Sequence, residues 1–192
     1  MYKLCKTEQS AQRQRELEQG LLAIMNSTRY EDITVSDMCQ KLNIPRKSFY
    51  RYFSSKDGAL HALIDHTLME FEFAAPHPQT GKRSLRGYLE GFFQFWMREQ
   101  ALLDALERSG LSGVLIERAI GYSISDGTLP SNFLMNDDAR MRHHIMMFAA
   151  CGLMTIVVQW HHGGYQESVA DMAKAAVRLL THPLFPQAEN IL

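Results

Sequence analysis

Residues 34–53 read Thr34-Val35-Ser36-Asp37-Met38-Cys39-Gln40-Lys41-Leu42-Asn43-Ile44-Pro45-Arg46-Lys47-Ser48-Phe49-Tyr50-Arg51-Tyr52-Phe53. Thr34 is a good N-cap with Asp37 three residues on, and Val35, Met38, Cys39 and Leu42 fall at i, i+3, i+4 and i+7. That spacing predicts a two-turn helix over 35–42. Asn43 tolerates the left-handed conformation a tight turn requires, and Pro45 can open a helix, where its missing N–H costs nothing. A third short helix is predicted at 45–52. Phe49 and Phe53, four residues apart, can face inward. That turns Arg46, Lys47, Ser48, Tyr50, Arg51 and Tyr52 outward, with Ser36 in the preceding helix.

Outward from this stretch the apolar period stays near 3.6, with no sustained alternation of the kind a strand needs, so the fold class is all-α. Leu17, Leu21 and Ile24 mark a first helix over 8–26, closed by Asn26-Ser27-Thr28-Arg29. After Ser54-Ser55 a longer helix reaches 74, and Pro76, Pro78 and Gly81 make 75–82 a loop. Further helices are predicted at 84–99, 101–109, 112–126, 137–160 and 168–181, with a linker at 127–136.

The net charge of −1 conceals a division. Residues 1–56 hold ten Lys and Arg against six Asp and Glu, a balance of +4, and residues 57–192 hold ten against fifteen, a balance of −5. The expected units are a DNA-binding domain over 1–56 and a larger domain over 57–192. A basic module suits phosphate contact, and two short helices joined by a tight turn in such a module match the helix-turn-helix pattern. The outward face of cations, hydroxyls and aromatics has the side-chain types that bond phosphates and base edges. By composition alone, a solvated face fits it equally.

At 46% hydrophobic and 21% charged, the chain has enough apolar side chains for a sizeable core. Its longest apolar run, Ile145 to Val158, is 14 residues, short of the roughly 20 that cross a bilayer, and the basic, glutamine-rich start lacks a secretory apolar segment. A cytoplasmic protein without membrane association is expected. Cys5, Cys39 and Cys151 are odd in number and far apart, which points to reduced thiols and to neither a disulfide framework nor a zinc site.

Thr34-Val35 followed by Phe49-Tyr50-x-Tyr52-Phe53-x-Ser55-Lys56-Asp57-x-x-Leu60 resembles the N-terminal signature of the TetR family of transcriptional regulators. The resemblance implies a three-helix DNA-binding domain on an all-α ligand-binding and dimerisation domain. It implies that Thr34 and Tyr50 contact backbone phosphates, that the start of the recognition helix (Arg46, Lys47, Ser48) reads bases, and that Lys56 points at a phosphate. The sequence departs from the usual pattern with Arg29 for a turn glycine, Leu42-Asn43 for Ala-Gly, and Lys47 for a small residue.

Toward the C-terminus, Trp160-x-x-Gly163 with Ser168 and Met172-Ala173 also resembles that family. The all-round apolar run at 145–158 predicts a helix covered on every side, by its own domain and by a second subunit, with a central helix of a monomeric bundle as the alternative. The interface residues expected are Phe148, Met154, Trp160, Met172, Ala176 and Leu179. Tyr88, Phe92, Phe95, Trp96 and Glu99 share one helix face, which reads either as plain core or as the wall of an effector cavity suited to an apolar or cationic molecule. The partners expected are double-stranded operator DNA, a second copy of the chain and a small-molecule effector. No cofactor is called for.

An enzyme is not expected, since no metalloprotease motif, nucleophile elbow or phosphate-binding glycine loop is present. His143 and His161 lie 18 residues apart on one predicted helix, about 27 Å at 1.5 Å per residue, too far to share a metal within one subunit. The function expected is therefore a TetR-like regulator, a repressor released by a small molecule. Control by a protein partner, or activation, is the alternative, and a metal-binding helical-bundle enzyme a remote one.

Overall fold

The computed structural model describes residues 1–74, 84–126 and 138–182. The loop expected at 75–82 and the linker at 127–136 lie outside the described residues. Within them the chain is all-α: α1 Glu8–Met25, α2 Val35–Lys41, α3 Arg46–Tyr50, α4 Lys56–Ala74, α5 Leu85–Arg98, α6 Gln100–Arg108, α7 Ser112–Asp126, α8 Ala139–His162 and α9 Val169–Thr181, with one 3-10 turn at Tyr30–Asp32. Most boundaries fall within two residues of the predicted ones, the scatter usual for helix ends.

Local chemistry accounts for the decisive turn. Asp37 N donates to Thr34 Oγ1 at 3.1 Å and the Asp37 carboxylate accepts from Thr34 N at 2.8 Å, a reciprocal capping box that starts α2. At the other end Asn43 takes a φ of 49°. Its N–H donates to the Gln40 carbonyl at 3.2 Å, and Ile44 N to the Cys39 carbonyl at 2.9 Å. This is a Schellman closure with Asn in the left-handed position that glycine usually takes. Arg29 is extended, at φ −63° and ψ 143°, so no glycine is needed there. Leu42 is accommodated from the opposite side, because a Cβ on Gly20 of α1 would lie 2.4 Å from Leu42 Cδ2.

That close approach makes a prediction. Gly20→Ala in a helix interior ordinarily stabilises by about 0.5–1 kcal/mol, but here the added methyl meets Leu42. The substitution is expected to lower stability in the wild-type background and to raise it in Leu42→Ala, so a urea-unfolding double-mutant cycle should give coupling with that sign. Equal effects in both backgrounds would mean that the two helices do not meet there.

Leu17, Leu21, Met25, Met38, Phe49 and Phe53 fill the core among α1–α3, which continues along α4 into the larger half as one cluster. In the larger half α7 packs along α8 and α5 along α9. Several side-chain contacts tie the halves together. Ser109 Oγ accepts from Tyr30 N at 3.0 Å, and Arg108 donates to the Met25 and Asn26 carbonyls at the end of α1. Arg118 of α7 pairs with Asp65 of α4, which also accepts from the Tyr2 hydroxyl at 2.8 Å. His66 of α4 lies 2.9 Å from buried Glu18 of α1. Residues 1–3 are held by an antiparallel bridge between Tyr2 and Phe53.

Over Arg140–His162, α8 is long and apolar enough to cross a membrane by length and composition, beyond what the 14-residue run suggested. In the fold it is a bundle helix, with Met146, Ala149, Leu153, Met154 and Val157 buried along one side.

Candidate nucleic-acid interface and effector cavity

α3 has no acidic residue, and Arg46, Lys47, Tyr50 and the following Arg51 are exposed, with Ser48 half-buried. Phe49 is fully buried and anchors the helix, so its neighbours face out. The Arg46 guanidinium lies 5.9 Å from the Tyr50 ring centroid and its Nη2 is 3.4 Å from the Tyr50 hydroxyl. These contacts extend Arg46 along the helix surface, and the hydrogen bond favours its charged form. Ser36 is exposed on α2. Thr34 is exposed too, but its hydroxyl proton is donated to Asp37 at 2.6 Å.

Two expected DNA contacts are placed elsewhere. Tyr52 is only 7% exposed. α3 ends at Tyr50, and Tyr52 N and Phe53 N both donate to the Phe49 carbonyl in the turn that follows. A helical wheel extended through residue 52 therefore pointed Tyr52 the wrong way. Lys56 is turned inward: its Nζ donates to the carbonyls of Tyr30 and Ile33, each at 2.6 Å, and sits 4.2 Å from the Tyr30 ring centroid. An ammonium spent on these groups fastens the 3-10 turn to α4 and is not presented to a phosphate.

In the larger half, a cavity of about 60 Å³ lies between α4, α5, α7 and α8. Tyr88, Phe92 and Trp96 of α5 line it, opposite Phe71, Met146 and Leu153. Of the other two expected wall residues, Phe95 packs behind, with its ring 5.4 Å from Phe71 and 5.5 Å from Trp96. Glu99 is not part of the lining. The wall residues from α4, α7 and α8 escaped the sequence reading because nothing on their own helices marks them out, and only the tertiary fold brings them together.

Burial, then the charge of Glu70, pushes the Glu99 carboxyl above its ordinary range. Because its folded value is raised, the stability Glu99 contributes is present at low pH and lost as pH rises through that value. Glu99→Gln is therefore expected to raise the melting temperature at pH 7 more than at pH 4. An equal shift at both would show that ionisation of Glu99 is not penalised.

The expected interface residues divide. Met154, Trp160, Met172 and Ala176 are buried within the protomer, whereas Phe148 is 64% and Leu179 43% exposed. The Trp160 indole donates to the Glu167 carbonyl at 3.1 Å and meets Tyr165 edge-on, closing the α8–α9 turn. Gly164 sits there at φ 72°, a left-handed position that suits glycine. The face left open is an apolar stripe of Met141, Ile145 and Phe148, continued by a groove between Gly152 and Ile156 of α8 and Leu179 and Leu180 of α9.

His161 is buried against Asp104 at 2.8 Å and Glu107 at 2.9 Å, and His162 also pairs with Glu107. Among the described residues no group of three or more His, Cys, Asp and Glu is arranged to hold a metal ion.

No family model matches the chain, and no curated protein matches it in sequence. Solved structures do match it in fold. A TetR-family transcriptional regulator from Streptomyces coelicolor superposes with a TM-score of 0.60 at 14% identity, covering 88% of this chain and 79% of that one. The dihydroxyacetone kinase operon activator DhaS gives 0.56 at 16% identity over 88% and 93%. The regulator FadR from Bacillus subtilis, solved with stearoyl-CoA, gives 0.53 at 12% identity over 86% and 96%. The chain has the fold of the TetR-family transcriptional regulators, with an N-terminal helix-turn-helix and a helical C-terminal domain.

Proposed function

We propose that this chain is a TetR-like transcriptional regulator that binds a two-fold-symmetric operator as a homodimer and answers to a small-molecule effector. The observation that carries the proposal is α3 itself, an acid-free helix presenting Arg46, Lys47 and Tyr50, with Arg51 at its C-cap, beyond a Schellman turn. In this reading residues 1–56 contact DNA, and residues 57–192 hold the effector and the second subunit. Arg46, Lys47 and Ser48 read bases, while Thr34, Ser36, Tyr50 and Arg51 position the backbone. The open stripe of α8 and α9 is the dimer face, and the two recognition helices lie about 34–36 Å apart, one turn of DNA. The protein works in the cytoplasm, without a cofactor and without catalysis.

Repression follows if the operator overlaps a promoter, since a bound dimer then blocks polymerase. Activation is the second reading, favoured by the same fold in the activator DhaS. Run-off transcription from a selected operator separates them.

Selection of bound sequences from a random DNA pool tests the core of the proposal, with an inverted repeat expected. A selected site without two-fold symmetry would overturn it. On that site Arg46→Ala should cost about 1–3 kcal/mol and relax one base position, whereas Arg51→Ala should weaken all sequences alike and lower the salt slope by about one. Titrations at several salt concentrations, against specific and scrambled DNA, would show whether the two behaviours are exchanged.

A further inference from the structure

We propose that the cavity between α4, α5, α7 and α8 takes a compact, uncharged, largely apolar molecule bearing a hydrogen-bond-accepting oxygen, which receives the Nε1–H of Trp96. This rests on the reading of that cavity as the effector site and assigns the ligand's chemistry. Trp96 is 1% exposed and forms part of the cavity wall. Its Nε1–H has no hydrogen-bond partner among the described residues. A buried donor is rarely left unpaired, because the lost hydration is not returned. The contrast with the second tryptophan is direct: Trp160 donates its indole N–H to the Glu167 carbonyl at 3.1 Å.

The rest of the wall limits what can fill the site. Among the described residues no Lys, Arg, Asp, Glu or His lines the cavity, so an ionised ligand would lose its water without gaining a counter-charge. Among the described residues the polar side chains of the wall, besides Trp96, are Tyr88, Tyr122 and Ser123. The Ser123 hydroxyl is spent on the Ala119 carbonyl at 2.8 Å. Of the apolar or cationic molecule that the sequence suggested, this wall suits the apolar one. A volume of about 60 Å³ is far below the several hundred Å³ usual for ligand sites and below the roughly 150 Å³ of a cavity that holds benzene, so a ligand is limited to about one ring and enters only as the walls move apart.

Three probes of nearly one shape test this: acetophenone, α-methylstyrene, in which a methylene replaces the carbonyl oxygen, and benzoate, which carries a charge. The full chain labelled with ¹⁵N shows one indole N–H signal for each of its two tryptophans, told apart by Trp96→Phe. Acetophenone is expected to bind about tenfold more tightly than α-methylstyrene and to move the Trp96 indole proton downfield while leaving that of Trp160 in place. Benzoate should bind at least tenfold more weakly than acetophenone, and in Trp96→Phe the preference for the ketone should vanish. If that variant does not fold, the wild-type signals, assigned through space to Phe95 or to Glu167, still decide. Equal binding of ketone and alkene with an unmoved Trp96 signal would overturn the ligand class and leave the cavity as a binding site. Binding of none of the three at millimolar concentration would overturn both.

Discussion

Phe148→Glu is expected to leave the protomer folded and to abolish the homodimer. Phe148 is 64% exposed on α8, so within one copy the substitution removes little packing. In the proposed dimer the same ring is covered twice, once from each subunit, because a two-fold interface uses one patch from both copies. Burying a phenylalanine is worth about 1.5–3 kcal/mol. Two lost rings, with two carboxylates placed in an apolar seam, should therefore weaken association by roughly 10³-fold or more. Operator binding should fall with it, since a monomer engages a single half-site. Sedimentation should show a monomer at micromolar concentration, with helical circular dichroism unchanged. Met154→Glu, at a position 2% exposed, should instead unfold the chain. A Phe148→Glu dimer that persists would place the interface off this stripe.

The turn at residues 42–45 was legible because its chemistry is local. Thr34 and Asp37 cap one helix, Asn43 accepts a left-handed φ, and Pro45 admits the next helix, all within hydrogen-bond reach along the chain. The helix boundaries beyond it followed from apolar period for the same reason. What the sequence did not reveal depends on partners distant along the chain. Tyr52 looked outward on a wheel that assumed α3 continued, whereas α3 stops at Tyr50, and the Tyr52 carbonyl accepts from Lys3 N at 3.0 Å. Nothing in Met1-Tyr2-Lys3 marks that pairing. On α8 the period was no guide, because a helix apolar all round does not declare its inner face. Met154 within the apolar run and Trp160 in the motif after it share the expected interface with Phe148, and packing against α7 and α5 is what separates them from it. Leu42 looked like a departure from pattern until Gly20, 22 residues earlier, proved to be its complement.

Lys56→Ala is expected to cost about 2–4 kcal/mol of stability while leaving the salt slope of DNA binding unchanged. The side chain is a cation whose nearest acceptors belong to the protein: two carbonyls at 2.6 Å, those of Tyr30 and Ile33, and a third, that of Glu31, at 3.5 Å. Tyr30 and Ile33 are both buried, so their carbonyls would lose a charge-assisted bond with little water to replace it. Hydrogen bonds to charged groups contribute about 1.5–3 kcal/mol, and the cation over the Tyr30 ring about 0.5–1 kcal/mol more. The consequence for DNA is indirect. Ile33 precedes the Thr34 cap, so loosening the 3-10 turn loosens the start of α2, and operator affinity should fall through the smaller folded fraction of the helix-turn-helix. Lys47→Ala is the matched control: Lys47 is exposed, so its loss should change stability by less than about 0.5 kcal/mol and lower the salt slope by about one if it meets a phosphate. Urea unfolding of the free protein and DNA titration across salt would separate the two lysines. If Lys56→Ala lowered the slope by one and left the unfolding midpoint in place, the ammonium would have to leave its carbonyls for a phosphate on binding. Its role would then be the one the sequence resemblance implied.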